Sequence, residues 1–181
     1  AARTVARNTL NTENIDNIIC NGNIGDPSHI NKTLTETFKI DLKDLLNMRT
    51  FLDHNRIFQE PGIDINHGIN SSGSFCYKGE LIPSHKLINN FIDHMKSWKP
   101  YITKFGLIII ELHTLDPEIS RNNRGNTLAC AYDATHGYSD QYLIEYEVFK
   151  KCLNYINLKV NEGHETLYPK ENPTVSINYI K

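Results

Sequence analysis

This 181-residue chain has no Cys-x-x-Cys pair, no long apolar run and no excess of basic charge, and each absence excludes a class of protein. Its four cysteines, Cys20, Cys76, Cys130 and Cys152, stand far apart, which rules out a zinc ribbon or a thioredoxin-type motif. A chain of this length needs no disulfide framework, so four reduced, mostly buried thiols in a reducing, cytoplasmic setting are expected. The 19 Lys and Arg face 21 Asp and Glu, a formal net charge of −2. That leaves no surplus cation to neutralise a phosphate backbone, so no nucleic-acid partner is expected. The longest apolar stretch, around residues 107–110, is far too short to span a bilayer, and no membrane association is expected. Without a Gly-x-Ser-x-Gly elbow, nucleophilic hydrolase readings are weak. Without a Gly-x-x-x-x-Gly-Lys-Ser/Thr loop, P-loop phosphoryl transfer is out. Residues 1–7 carry no apolar core and do not read as a signal peptide.

What is present is an ordinary globular composition: 39% hydrophobic, 22% charged, mean hydropathy −0.45. One domain over residues 1–181 is the expectation for this length. Residues 2–10 read as a helix, and 15–20 (Ile-Asp-Asn-Ile-Ile-Cys) as a short buried strand. Asp26-Pro27-Ser28 starts a helix carrying Ile30, Leu34 and Phe38 on one face. A second strand is expected over 42–48, and a long Gly, Ser and Asn-rich loop, a candidate lid, over 60–79. Ser84 opens a helix with Leu87, Ile88, Phe91, Ile92 and Met95 at helical spacing. Residues 106–113 form the clearest strand, a further helix spans about 140–156, and 165–168 and 174–180 make a terminal antiparallel hairpin. Alternation of this kind predicts an α/β fold with a parallel sheet and crossover helices. Ligands then bind beyond the carboxyl ends of the strands, near 21–26, 50–56 and 111–115.

Three polar clusters fall in or near those places. Asp53 and His54 follow a strand, where they suit metal binding or proton transfer; the plainer alternative is a helix cap and a surface histidine. His113 ends the strongest strand two residues after Glu111, so the two share a face; its alternative is a hydrogen-bonded, partly buried histidine. The densest cluster is Tyr132-Asp133-Ala134-Thr135-His136-Gly137-Tyr138-Ser139-Asp140-Gln141-Tyr142. There His136 and Gln141 could reach one cation with an Asp as third ligand, a mixed N/O set that suits Fe(II) or Mn(II). The alternative is a helix capped by Ser139 with buried tyrosines and no metal. His29, His67, His85, His94 and His164 read as loop or helix-surface residues without a role.

The segments Phe51-Leu-Asp-His-Asn-Arg56, Gly106-Leu-Ile-Ile-Ile-Glu-Leu-His-Thr114, Ala131-Tyr-Asp-Ala-Thr-His-Gly-Tyr-Ser-Asp-Gln-Tyr142 and Thr174-Val-Ser-Ile-Asn-Tyr179 resemble the methyltransferase domains of modular polyketide synthases. The likeness is to the metal-dependent branch of the apratoxin and gephyronic acid pathways, and it covers nearly the whole chain. It implies a class I, Rossmann-like methyltransferase fold with S-adenosylmethionine (SAM) as methyl donor. It also implies carbon methylation of a malonyl-type thioester on an acyl carrier protein, with Fe or Mn stabilising the enolate. On this resemblance Asp53, His136 and Gln141 hold the metal. His113 and His54 orient or deprotonate substrate, and Asn23, Thr50 and Phe51 border the donor. The chain departs from the family in lacking the glycine-rich SAM loop and the acidic end of the second strand. Gly22-Asn23-Ile24-Gly25 corresponds to a later segment, where Asn23 replaces an acidic residue. The resemblance is thus to the C-terminal two-thirds of a methyltransferase, working with a missing N-terminal part or second chain. The rival expectations are a degenerate, non-catalytic scaffold and a standalone small-molecule methyltransferase.

Overall fold

The structure, a computed structural model, describes residues 2–63 and 65–181; Asp64, within the expected 60–79 loop, and Ala1 lie outside the described residues. In chain order the elements are α1 (Ala2–Thr12), α2 (Pro27–Thr33), β1 (Asn47–Thr50), β2 (Phe75–Tyr77), β3 (Glu80–Ile82) and α3 (Ser84–Ile102). They continue with β4 (Leu107–Leu112), α4 (Pro117–Asn122), α5 (Ala129–Tyr138), α6 (Tyr146–Tyr155), β5 (Val160–Tyr168) and β6 (Val175–Ile180). Four strands form one sheet in the order β1-β4-β6-β5, and β2 pairs with β3 as a separate hairpin. β1 runs parallel to β4, with Arg49 beside Ile109, while β6 is antiparallel to both β4 and β5. The sheet is therefore α/β and mixed, with the expected terminal hairpin. Only one of its pairs is parallel.

Period-two alternation along β4 decides which face is covered. Leu107, Ile109 and Glu111 are buried, whereas Ile108, Ile110 and Leu112 are half-buried. On the buried face Leu87, Ile88, Phe91, Ile92 and Met95 of α3 and Phe149 and Leu153 of α6 form the core with Leu107, Ile109 and Ile180. On the opposite face Met48 and Ile177 stay 60% and 42% exposed, and α1 buries none of its residues. The start of α2 follows from its sequence: Pro27 needs no N–H partner in the first turn, and Asp26 accepts the His29 N–H at 3.0 Å. Gly106 turns the chain into β4 at φ +83°, where an added Cβ would lie 2.4 Å from the Tyr179 ring.

Several expectations are corrected. Residues 15–20 form no strand; Ile15 and Ile18 are about half exposed, and no strand among the described residues pairs with them. An apolar run without a sheet edge to join has no partner for its backbone. The strand expected at 42–48 is displaced: a single 3₁₀ turn occupies Leu42–Asp44 and the strand begins at Asn47. The 60–79 segment is mostly loop but contributes β2. The helix expected from 140 starts only at Tyr146, because Asp140 takes φ +54° and the chain runs extended to Glu145. Of the thiols, Cys152 alone is buried; Cys20 and Cys130 are exposed and Cys76 is intermediate.

Candidate active site

Glu111 is the last buried position of β4, and its carboxylate reaches the loop that leaves β1. Its Oε2 accepts the backbone N–H groups of Asp53 (3.0 Å) and His54 (3.1 Å), and its Oε1 accepts that of Leu112 (2.8 Å) and pairs with His54 Nδ1. A carboxylate so placed fixes both the ring orientation and the tautomer of His54. The buried His54 ring then packs against His136 with centroids 5.1 Å apart and an interplanar angle of 71°.

His136 sits near the exit of α5, so Ser139 is that helix's C-terminal neighbour rather than the N-cap of a following one. Its Nδ1 donates to the Tyr132 carbonyl at 2.6 Å, which in the neutral ring leaves the lone pair on Nε2. The His136 carbonyl accepts the N–H of Ser139 (3.1 Å) and of Gln141 (2.9 Å), folding the chain back so that Gln141 joins His136 on one cavity of about 330 Å³. Thr114, Asp133, Arg121 and Arg124 line the same cavity. The Asp133 carboxyl is raised above its ordinary range, first by burial and then by Glu145, against the Thr114 hydroxyl and His136. Glu145 holds another wall in place: it accepts Ser71 Oγ (2.6 Å) and the Ser72 N–H (2.7 Å).

Asp53 does not join them. Its Oδ1 takes Arg49 Nη2 at 3.0 Å and His94 Nε2 at 2.9 Å, and it lines a different, interior pocket. Burial pushes the Asp53 carboxyl up, but Arg49, His94 and Arg56 outweigh it and hold the group below the ordinary carboxylate range. Arg56 donates to the Asp53 carbonyl (2.7 Å) and to Asn90 Oδ1 (2.8 Å), and burial lowers its pKa to about 10. Asp53, His136 and Gln141 thus do not make one cation site, and no three His, Cys, Asp or Glu side chains converge as one among the described residues. The donor set expected for Fe or Mn is not assembled.

His113 is fully buried, its Nδ1 donating to the Ile144 carbonyl (3.1 Å) and its Nε2 accepting from Ser176 Oγ (2.7 Å). With both nitrogens engaged and its pKa pushed down to about 4, chiefly by burial, it is a neutral packing residue and does not line the His136 cavity. His94 corrects the sequence reading in the other direction, being buried and bonded to Asp53. The signal was there: 87, 91, 94 and 98 fall on one helical face, which is the covered one.

The three expected donor-side residues lie at the carboxyl end of β1 and in the 22–25 turn. Thr50 and Phe51 are exposed, Phe51 at φ +54° with its N–H on the Ile110 carbonyl (2.8 Å). Asn23 Oδ1 accepts the Gly25 N–H, and the next residue, Ile24, receives Trp98 Nε1–H at 2.7 Å. The Arg49 guanidinium lies over that Trp98 ring at 4.5 Å, so one stack ties the turn to β1.

The half-sheet β1-β4-β6-β5, with an antiparallel strand inserted beside β4 and polar chemistry at the β4 carboxyl end, is that of a methyltransferase-like α/β protein. No helix among the described residues is long and apolar enough to cross a membrane. Residues 1–179 match the family of AprA MT2-like domains, a methyltransferase family, and the chain belongs to it. No curated protein matches the chain.

Proposed function

We propose that this chain is the acceptor-side part of a SAM-dependent C-methyltransferase acting on a malonyl-type acyl thioester of an acyl carrier protein. It works with a further part that supplies the glycine-rich donor loop. The observation that carries the reading is the cavity beyond β4 in which His136 and Gln141 meet, with the Glu111-held His54 packed against His136.

SAM supplies an electrophilic methyl group on a sulfonium. Asn23, Thr50 and Phe51 border its adenine end. His136 takes the proton of the acceptor carbon at Nε2, the atom left with a lone pair by the Tyr132 bond. The Gln141 carboxamide donates to the acceptor carbonyl oxygen as negative charge develops there. His54 sets the plane of the His136 ring. Asp53, whose Oδ1 is bonded to Arg49 and His94, takes no part in these steps.

The edge of β1 supports a second part. β1 ends the sheet, and Leu46, Met48 and Phe51 around it are 54%, 60% and 44% exposed. Such an edge is a template for another strand. The test combines the chain with a strand-Gly-x-Gly-x-Gly unit and follows labelled methyl from SAM to a malonyl thioester. Carbon-methylated product is expected, with a loss of about 10²-fold or more on His136→Ala. No product from the combined protein, or full activity in the variant, overturns the reading.

A further inference from the structure

We infer that Arg121, Arg124 and Ser120 form an oxyanion-binding end of this cavity, which takes a carboxylate or phosphate group of the acceptor. The inference rests on the cavity being the acceptor site. Ser120 is only 7% exposed, it lines the cavity, and its Oγ has no hydrogen-bond partner among the described residues. A hydroxyl taken out of water is normally paired, so this one is placed for a ligand atom. Two guanidinium groups stand on the same wall, Arg121 from the last turn of α4 and Arg124 from the turn after it. Arg121 gives one N–H to Glu118 at 3.5 Å on the surface; a guanidinium carries five, in a fork that matches carboxylate and phosphate oxygens. Against these two permanently charged cations the wall carries a single acidic side chain, Asp133. The cavity thus carries a local excess of positive charge in a chain whose net charge is −2.

The test is calorimetric titration of the full chain with malonate, inorganic phosphate and the neutral analogue malonamide. One of the two anions should bind at least about tenfold more tightly than malonamide. The double variant Arg121→Gln/Arg124→Gln, at exposed positions that leave the fold intact, should weaken that anion about tenfold or more, and Ser120→Ala by about two- to fivefold. Tighter malonate identifies an acyl carboxylate as the ligand; tighter phosphate identifies the phosphate of a carrier arm. Equal affinity for malonate, phosphate and malonamide, or unchanged anion binding in the double variant, overturns the inference. In the methyl-transfer assay, an unchanged KM in the double variant sinks the inference and leaves the methyltransferase reading standing. Arginine-dependent anion binding by a protein that transfers no methyl group does the reverse.

Discussion

Acidification should destabilise this protein through one histidine. His113 lies fully buried between the Ile144 carbonyl and the Ser176 hydroxyl, and burial, with His54 nearby, lowers its pKa from the ordinary 6.5 to about 4. The unfolded chain takes up this proton near 6.5 and the folded one only near 4. Stability from this residue is therefore complete above about pH 6.5, falls as pH drops through the interval, and is fully lost below about pH 4. At about 1.4 kcal/mol for each tenfold, the loss is about 3 kcal/mol, a large part of a domain's stability. The measurement is urea unfolding of wild type and His113→Gln at about pH 7.5 and about pH 4.5. The variant is less stable at neutral pH but lacks the proton, so its stability should fall by about 2 kcal/mol less than that of wild type over this range. His94 and Asp133 titrate alike in both proteins and cancel in the comparison. Parallel pH dependences would refute the argument that this imidazole is held neutral.

Three further outcomes follow from particular contacts. Asp53→Asn takes from the buried Arg49 and Arg56 the stronger of their two counter-charges, leaving only Glu111, and should cost about 3 kcal/mol in thermal or urea unfolding; a loss below about 1 kcal/mol would contradict the buried pairing. Trp98→Phe keeps a ring under Arg49 but removes the donor to the Ile24 carbonyl, so amide exchange at residues 22–26 should quicken with a stability loss of about 1 kcal/mol. Gly106→Ala meets both a left-handed backbone and the Tyr179 ring and should lose about 2 kcal/mol or more; a neutral result would mean that Tyr179 swings away and the turn relaxes.

How much of this was legible beforehand varies with the range of the interaction responsible. The helix at Ser84 and the strand at Leu107 were readable because each buries one stripe, and a stripe repeats at the period of its element. The same rule carried His94, had it been applied to a polar residue as strictly as to its apolar neighbours. The 15–20 run shows the limit: its composition suits a strand, but a strand exists only where an edge receives it. Asp53 shows it again, since position after a strand says nothing about which partners face a carboxylate.

By itself the sequence determined the helix at Ser84, the strand at Leu107, the terminal hairpin, the methyltransferase family and the nearness of His136 to Gln141, all of which rest on local periodicity or short spacing. Tertiary structure alone decided that Glu111 grips His54, that Asp53 belongs to Arg49 and His94, that His113 is sealed in, and that Ser120 and two arginines share a cavity with His136. Those pairings join residues that are far apart in the chain or turned together by a bend, and Coulomb and hydrogen-bond energies depend on distance in space, which no linear spacing encodes.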